Sequence, residues 1–418
     1  MAPESISDMH AMVAKYSVNL PVRPQTSVGR HMGDVVLVTG TTGSLGCYLL
    51  EALAAEPEVV RVYALNRASR DGVSLRARQR AALDERGVDA SILGQEKVVL
   101  LEGDLTKPEW GLAPNVYEEL HKTVTHIIHN AWRVNLLAHL PKFEANVKGL
   151  RSLIDFALTS PQPSPAHLLF VSSISVLFDA PLDGKVYEGA VPPAYAASAG
   201  YGASKWVAEE ILYAAARTTP LAPLVARVGV ICGGPSGSWS TDDWVPALAQ
   251  SARPLGCFPD DPKAVDWIPF DIAARALVEL RGVSNAAHTA HVVHTRPVPW
   301  STLAAAAASV FATPLVPSTR WLAVLEAHAR RTAPAPRLMA AHLLPFFERQ
   351  IRRAERSALA FGLRDMDTAR AREGSPTLAD PALRQVGAED VRRWIVYWEK
   401  VGLWDNVEQG EQTLSARL

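Results

Sequence analysis

Tyr201 and Lys205 stand four residues apart in the string YGASK, and Ser172-Ser173 closes an apolar run upstream of them. Positions i and i+4 share one face of a helix, so this spacing brings a phenol and an ammonium together. The set suits the reduction of a carbonyl. Hydride addition to the carbonyl carbon leaves a developing oxyanion that needs a proton. A free phenol has a pKa of about 10 and is a modest acid, but a nearby ammonium stabilises its phenolate and lowers that value. A serine hydroxyl can bond the substrate oxygen and orient it. Positioned acid catalysis of this kind contributes roughly a hundred- to ten-thousand-fold. Ser173, Tyr201 and Lys205 are the expected catalytic set, with Ser172 as a structural neighbour.

A hydride donor has to sit beside this set, and the segment TGTTGSLG offers it a place. Gly40, Gly43 and Gly46 follow an apolar run and open a helical pattern. Glycine is needed where backbone must approach a pyrophosphate closely and adopt unusual dihedrals. The helix start then presents free N–H groups and a positive dipole end to the anion. Thr42, Ser44 and Leu45 lie in the same turn and are expected to contact the dinucleotide. The second apolar run ends in Leu65-Asn66-Arg67, with no acid to hold a ribose 2′-hydroxyl. A guanidinium suits a 2′-phosphate instead, so Asn66, Arg67 and Arg78 are expected at the adenosine end and NADPH is the expected cofactor. Arg70 could assist, and both Arg70 and Arg78 read equally well as solvated helix residues. Asp104 and Leu105, in GDL, are expected near the adenine, and the small Asn130-Ala131 pair where the chain passes the cofactor. Lys205 is expected to bond the nicotinamide ribose as well. His129 reads as a packed strand-end histidine.

The elements that must position these residues alternate. Strands are expected at 34–39, 61–66, 97–103, 125–130, 167–173 and 224–231, with helical patterns between them, including 143–158 and the run from Tyr201. Apolar strands alternating with helices imply a parallel sheet covered on both faces, a doubly wound α/β domain of Rossmann type. Beyond about residue 290 the pattern turns mostly helical. The expected division is a leader over 1–30, a nucleotide-binding domain over 31–290, and a smaller helical substrate domain over 291–418 with contributions from about 232–266.

Composition sets the outer bounds. Forty-two basic residues against 43 acidic give a formal charge of −1, so neither nucleic acid nor an anionic membrane is an expected partner. Cys47, Cys232 and Cys257 are too far apart for a zinc spacing, no metal is expected, and a reduced cytoplasmic compartment is the natural setting. The first 25 residues lack the basic and apolar regions of a signal peptide, and no apolar run reaches the length of a membrane span.

Taken together, the glycine turn, Ser173 and the Tyr201/Lys205 pair resemble the extended short-chain dehydrogenase/reductase family. More specific strings narrow the resemblance. HNAWRVN (129–135), FEANVKGLRSLIDFAL (143–158), RVGVICGGPSGSW (227–239), VDWIPFDIAARALVEL (265–280) and DVRRWIVYWEKVGLW (390–404) are similar to the terminal thioester reductase domain of fungal adenylate-forming reductases. That group includes aminoadipate reductase-like and other carboxylic acid reductases, and the resemblance runs from about residue 31 to the C-terminus.

The resemblance implies a reaction. An acyl group held as a thioester on a carrier domain's phosphopantetheine arm is reduced by NADPH and released as an aldehyde. Residues 1–30 would then be a stump of the carrier linker, on an excised domain or a stand-alone relative that acts as a monomer. Trp132, Trp239, Trp244 and Trp267 are candidates to line the substrate channel, and the polar loop Gly233–Trp244 is a candidate lid. The same catalytic set also fits a free-standing reductase of small aldehydes or ketones. A binding scaffold without chemistry is disfavoured by the intact Tyr/Lys pair.

Overall fold

The computed structural model describes residues 3–25, 29, 32–135, 138–283, 288–330 and 338–405. Seven strands build the central sheet: β1 (Asp34–Thr39), β2 (Val59–Asn66), β3 (Val98–Glu102), β4 (His126–His129), β5 (His167–Ser173), β6 (Leu224–Val228) and β7 (His288–Val292). Their spatial order is β7-β6-β5-β4-β1-β2-β3, and every pairing is parallel. The order reverses between β1 and β4, and in open α/β sheets ligands bind at the carboxyl ends of the strands flanking such a reversal.

The longer helices are α1 (Ile6–Ser17), α2 (Ser44–Ala55), α3 (Leu75–Glu85), α4 (Pro114–Thr123), α5 (Glu144–Thr159), α6 (Gly200–Thr218), α7 (Trp244–Leu255), α8 (Phe270–Glu279), α9 (Trp300–Phe311), α10 (Ser318–Ala329), α11 (Leu344–Ala354) and α12 (Ala388–Lys400). Strand β1 shows why both faces are covered. Val36 and Val38 point into one apolar cluster with α2 and α8, while Val35 and Leu37 point into the other with α5 and α6. Alternate residues of a strand face opposite ways, and both sets are apolar, so neither face can be left to water.

Two expectations on element bounds shift. The run expected at 224–231 is two strands: β6 ends at Val228, and Ile231–Cys232 pairs separately with Ile268–Pro269. Strand β7 is not apparent in the sequence, because HTAHV alternates with polar residues; Thr289 and His291 are nonetheless fully buried. The sheet therefore extends past residue 290. The remaining short pairings join Phe258–Asp260 to Leu315–Pro317 and Ala264–Val265 to Val298–Pro299. They tie α9 to α12 onto the same apolar cluster that α2 and α8 line.

The N-terminal stretch packs on the domain. Helix α1 is capped by Ser5, buries Met9 completely and lies against α6 and α5. Arg151 on α5 donates to the carbonyls of Tyr16, Val18 and Asn19. No helix among the described residues is long and apolar enough to cross a membrane.

Candidate active site

The glycine turn leaves β1 at its carboxyl end. Gly40 has φ +76°, and a β-carbon there would press on the Ala131 backbone at 3.0–3.2 Å. A β-carbon on Gly46 would meet the Gly40 carbonyl oxygen at 2.0 Å. Gly43 is the exposed N-cap of α2 and supplies no side-chain cap. The first N–H groups of α2 are thus left for an outside acceptor, the arrangement that receives an anion. The residues fit a dinucleotide pyrophosphate.

Asn66 holds this turn from within. It is buried, its side-chain oxygen accepts from the Thr42 N–H at 3.2 Å, and its amide donates to Thr41 Oγ1 at 2.7 Å. The fully buried Gln79 completes the clamp through the Thr41 hydroxyl and carbonyl. Asn66 thus shapes the phosphate loop from within. Sequence reasoning missed Gln79, which sits on a helix among arginines and carries no local signal.

Past β2, Arg67 is exposed. Arg78 bends back to donate to the Arg67 carbonyl and to Glu102, each at 2.9 Å. Asp104 follows β3 and accepts from the N–H and hydroxyl of Thr106. Burial pushes its carboxyl up, and the two hydrogen bonds outweigh burial, leaving it below the usual range. Leu105 turns toward α5 and lies against Gly149. Asn130 donates to the Gly40 carbonyl at 3.2 Å, and the Ala131 N–H donates to Thr39 Oγ1 at 3.0 Å. These two bonds lock the β4 end to the glycine turn.

The catalytic candidates meet at the neighbouring strand end. Ser173 is the last residue of β5, and Tyr201 and Lys205 lie on the first turns of α6. Tyr201 is half-buried. Burial raises its phenol to about 12, with the nearby Ser173 hydroxyl working downward and the Asp243 charge upward. Lys205 is buried, and Nζ donates to the Val171 carbonyl at 2.7 Å. Burial lowers its pKa well below the ordinary lysine value, and the charge of Glu209 opposes that shift. Nζ also lies 4.5 Å from the Trp132 ring centre and 4.6 Å from that of Phe170.

Beneath these groups runs a polar chain that sequence reasoning did not find. Glu209, one turn beyond Lys205, accepts from Ser172 at 2.5 Å and from Arg227 at 2.7 Å. Arg227 is fully buried and also reaches His291. His129 is packed as expected: it bonds Thr39 through Nδ1, and burial together with Lys205 drives it down to about 3, so it stays neutral.

Three of the four tryptophans correct the expected channel. Trp239, Trp244 and Trp267 are buried and interlock with one another and with Trp300 and Trp394 at ring-centre distances of 5.0–5.8 Å. They form core, because aromatic area of this size is most stable away from water. Trp132 alone reaches the site. The loop Gly233–Trp244 is no free lid either. Ser236 bonds the Arg86 carbonyl, the Trp239 carbonyl accepts from Trp398, and Asp243 caps α7 while accepting from the Trp239 indole. Asp243 is nonetheless the loop's link to the site, through its effect on Tyr201.

The family model described as "Male sterility protein", an NAD-binding family, matches residues 38–277. The chain belongs to this NAD-binding male sterility protein family. Membership makes the chain a nicotinamide-dependent oxidoreductase domain of the extended short-chain type. Among related proteins, the adenylate-forming reductase Nps10 of Heterobasidion annosum is 41% identical over 407 residues, covering 95% of this chain and 37% of the relative. A carboxylic acid reductase of Neurospora crassa is 33% identical over 336 residues, covering 76% of this chain and 31% of the relative. The chain thus spans under two-fifths of the length of these curated relatives. The crystal structure of the terminal R domain from the myxalamid PKS-NRPS biosynthetic pathway superposes with a TM-score of 0.74 at 25% identity, covering 95% of this chain and 98% of that one. The reductase domain of a nonribosomal peptide synthetase from Mycobacterium tuberculosis shares the fold, with a TM-score of 0.68 at 23% identity and coverage of 95% and 99%. This male sterility family member therefore carries its glycine turn after β1 and Ser173 at the end of β5, two strands away on the same carboxyl edge, with Tyr201 and Lys205 on α6.

Proposed function

We propose that this chain releases an acyl group from a phosphopantetheine thioester as an aldehyde, at the expense of NADPH. The observation that carries the reading is the clustering of Ser173, Tyr201 and Lys205 on the same carboxyl edge of the parallel sheet as the glycine turn, on a chain similar along 95% of its length to an adenylate-forming reductase. A nicotinamide cofactor, when bound, supplies the hydride and is oxidised. The glycine turn and the start of α2 hold its pyrophosphate. Arg67 and Arg78 bind the 2′-phosphate, with Arg78 exchanging its Glu102 partner for the phosphate. Lys205 bonds the nicotinamide ribose.

Ser173 donates to the thioester carbonyl oxygen and fixes it against Tyr201. As the carbon gains hydride, Tyr201 gives its proton to that oxygen, and the Lys205 ammonium stabilises the phenolate left behind. The product of this step is a thiohemiacetal. Its hydroxyl returns that proton to the Tyr201 phenolate as the C–S bond breaks, and the departing thiolate takes a proton from solvent, freeing the aldehyde and the carrier thiol. The carrier domain is the proposed partner, a single protomer is sufficient, and the three buried free thiols suit a cytoplasmic setting.

Binding energy remote from the reacting carbon positions that carbon, so truncating the pantetheine arm lowers turnover as well as affinity. The test is kcat/KM for NADPH oxidation with an acyl-carrier thioester, an acyl-pantetheine and a short acyl thiol. A falling series is expected, with the free acid inert. Turnover of small ketones and of no thioester overturns the reading in favour of a free-standing reductase.

A further inference from the structure

We propose that Trp132 is a positioning residue for this reduction: with Phe170 it forms a two-ring cage that keeps the Lys205 ammonium charged and fixed behind Tyr201. The inference rests on the proposed reductive release only for the identity of the substrate, since the cage is built whatever the carbonyl.

Lys205 is 2% exposed, and among the described residues its one hydrogen bond is to the Val171 carbonyl. An ammonium carries three donors, so one bond leaves much of its charge without hydration. The two ring faces supply what water cannot reach. Trp132 follows the end of β4 and Phe170 sits within β5; the rings lie edge to face, 5.3 Å apart, with Nζ 4.5 and 4.6 Å from their centres. A ring quadrupole attracts a cation over its face, most strongly for tryptophan and in a desolvated site. Trp132 is held for the task. Its indole N–H donates to Ser204 Oγ at 3.1 Å, and Ser204 donates in turn to the Tyr201 carbonyl at 2.8 Å. The indole is thereby fastened to the turn of α6 that carries the phenol.

The other groups facing Lys205 do not substitute for the cage. Glu209 favours the ammonium through its charge, but its oxygens are engaged by Arg227 and Ser172 and none reaches Nζ, and His129 is neutral and buried. Tyr201 is protonated across the working range. His291 lies beyond Arg227.

Removing the indole disfavours the ammonium, so Lys205 loses its proton at lower pH, and activity that needs the ammonium is lost earlier as pH rises. In Trp132→Leu the alkaline midpoint of the kcat profile is expected to fall by about one pH unit, and in Trp132→Phe, which keeps a ring face, by less than half of that. Ser204→Ala, which frees the indole but leaves it in place, is expected to give a smaller shift in the same direction. The pH dependence of NADPH binding, read by nicotinamide fluorescence, should move in parallel and needs no thioester. Parent protein that binds NADPH but reduces no acyl-pantetheine overturns the proposed reaction alone, and the binding profiles still judge the cage. Equal midpoints in parent, Trp132→Leu and Trp132→Phe overturn the cage, even where kcat drops uniformly. If Trp132→Leu does not fold, the Trp132→Phe and Ser204→Ala profiles decide: unmoved midpoints in both overturn it.

Discussion

Lys205 and Glu209 lie one turn apart on α6, yet they do not bond each other. Glu209 binds Arg227 through both oxygens and takes the Ser172 hydroxyl as well, while Lys205 donates to the Val171 carbonyl. The carboxylate is thus committed to a buried ion pair, both side chains of which are at most 1% exposed. It influences the lysine through its field and not through contact.

That commitment has a stability consequence. Glu209→Gln strands the Arg227 guanidinium without its counter-charge, and breaking a buried pair from one side costs about 3–5 kcal/mol. The double variant Glu209→Gln/Arg227→Met should recover part of that loss, because no uncompensated charge remains. Urea unfolding of the two single variants and the double variant measures the coupling. Additive losses would contradict a shared, buried pair.

Tyr201→Phe removes only the hydroxyl. Turnover on a thioester is expected to fall by about 10²- to 10⁴-fold, with NADPH binding nearly unchanged. Lys205→Ala should harm both. Rapid-mixing kinetics and a fluorescence titration separate the two effects. A Tyr201→Phe enzyme near the parent rate would show that the proton comes from elsewhere.

Cofactor choice is expected to reside in Arg67, the exposed guanidinium past β2. Arg67→Ala should cost NADPH about 1.5–3 kcal/mol of binding, the range for a hydrogen bond to a charged group, and leave NADH alone. Arg78 is already paired with Glu102, so Glu102→Gln should release it and tighten NADPH modestly. Dissociation constants for both cofactors test this. Equal use of NADH and NADPH by the parent removes the basis for the assignment.

Asp266 offers a pH-dependent stability term. It is 4% exposed, beside a cavity lined by Ile174, Leu177 and Met366, and burial raises its carboxyl to about 7. A folded-state value above the unfolded one means the native protein binds the extra proton between roughly pH 4 and pH 7. Stability from this group is therefore present at low pH and lost as pH rises through 7. Asp266→Asn should be more stable than the parent by about 2–4 kcal/mol above pH 7, an upper range, with the gap closing toward pH 4. Urea midpoints across pH 4–8 give the answer. A gap that widens toward acid would reverse the sign and exclude a proton-holding Asp266.

Trp239 separates core from channel. Trp239→Ala should cost about 3–5 kcal/mol of stability, as large core truncations do. Specificity among acyl thioesters should stay as in the parent wherever the variant is folded. Thermal melts and a substrate panel provide the check.

The sequence by itself determined six of the seven sheet strands, the glycine turn and the shared helix face of Tyr201 and Lys205. Those six strands are mainly apolar runs, the turn requires glycine at fixed spacing, and residues four apart on a helix share a face by local geometry alone. Each of these is a short-range property, written within a few residues. The tertiary structure decided what surrounds the lysine and what fills the core. Ser172, Glu209, Arg227 and His291 are up to 119 positions apart in the chain and form one polar path only because β5, β6, β7 and α6 are neighbours. The same holds for Trp132 and Phe170, which meet over Lys205 because β4 and β5 pair in parallel. Three tryptophans that read as a channel became core for the complementary reason. Burial belongs to the packed whole, and a residue's type sets only how much stability that burial yields.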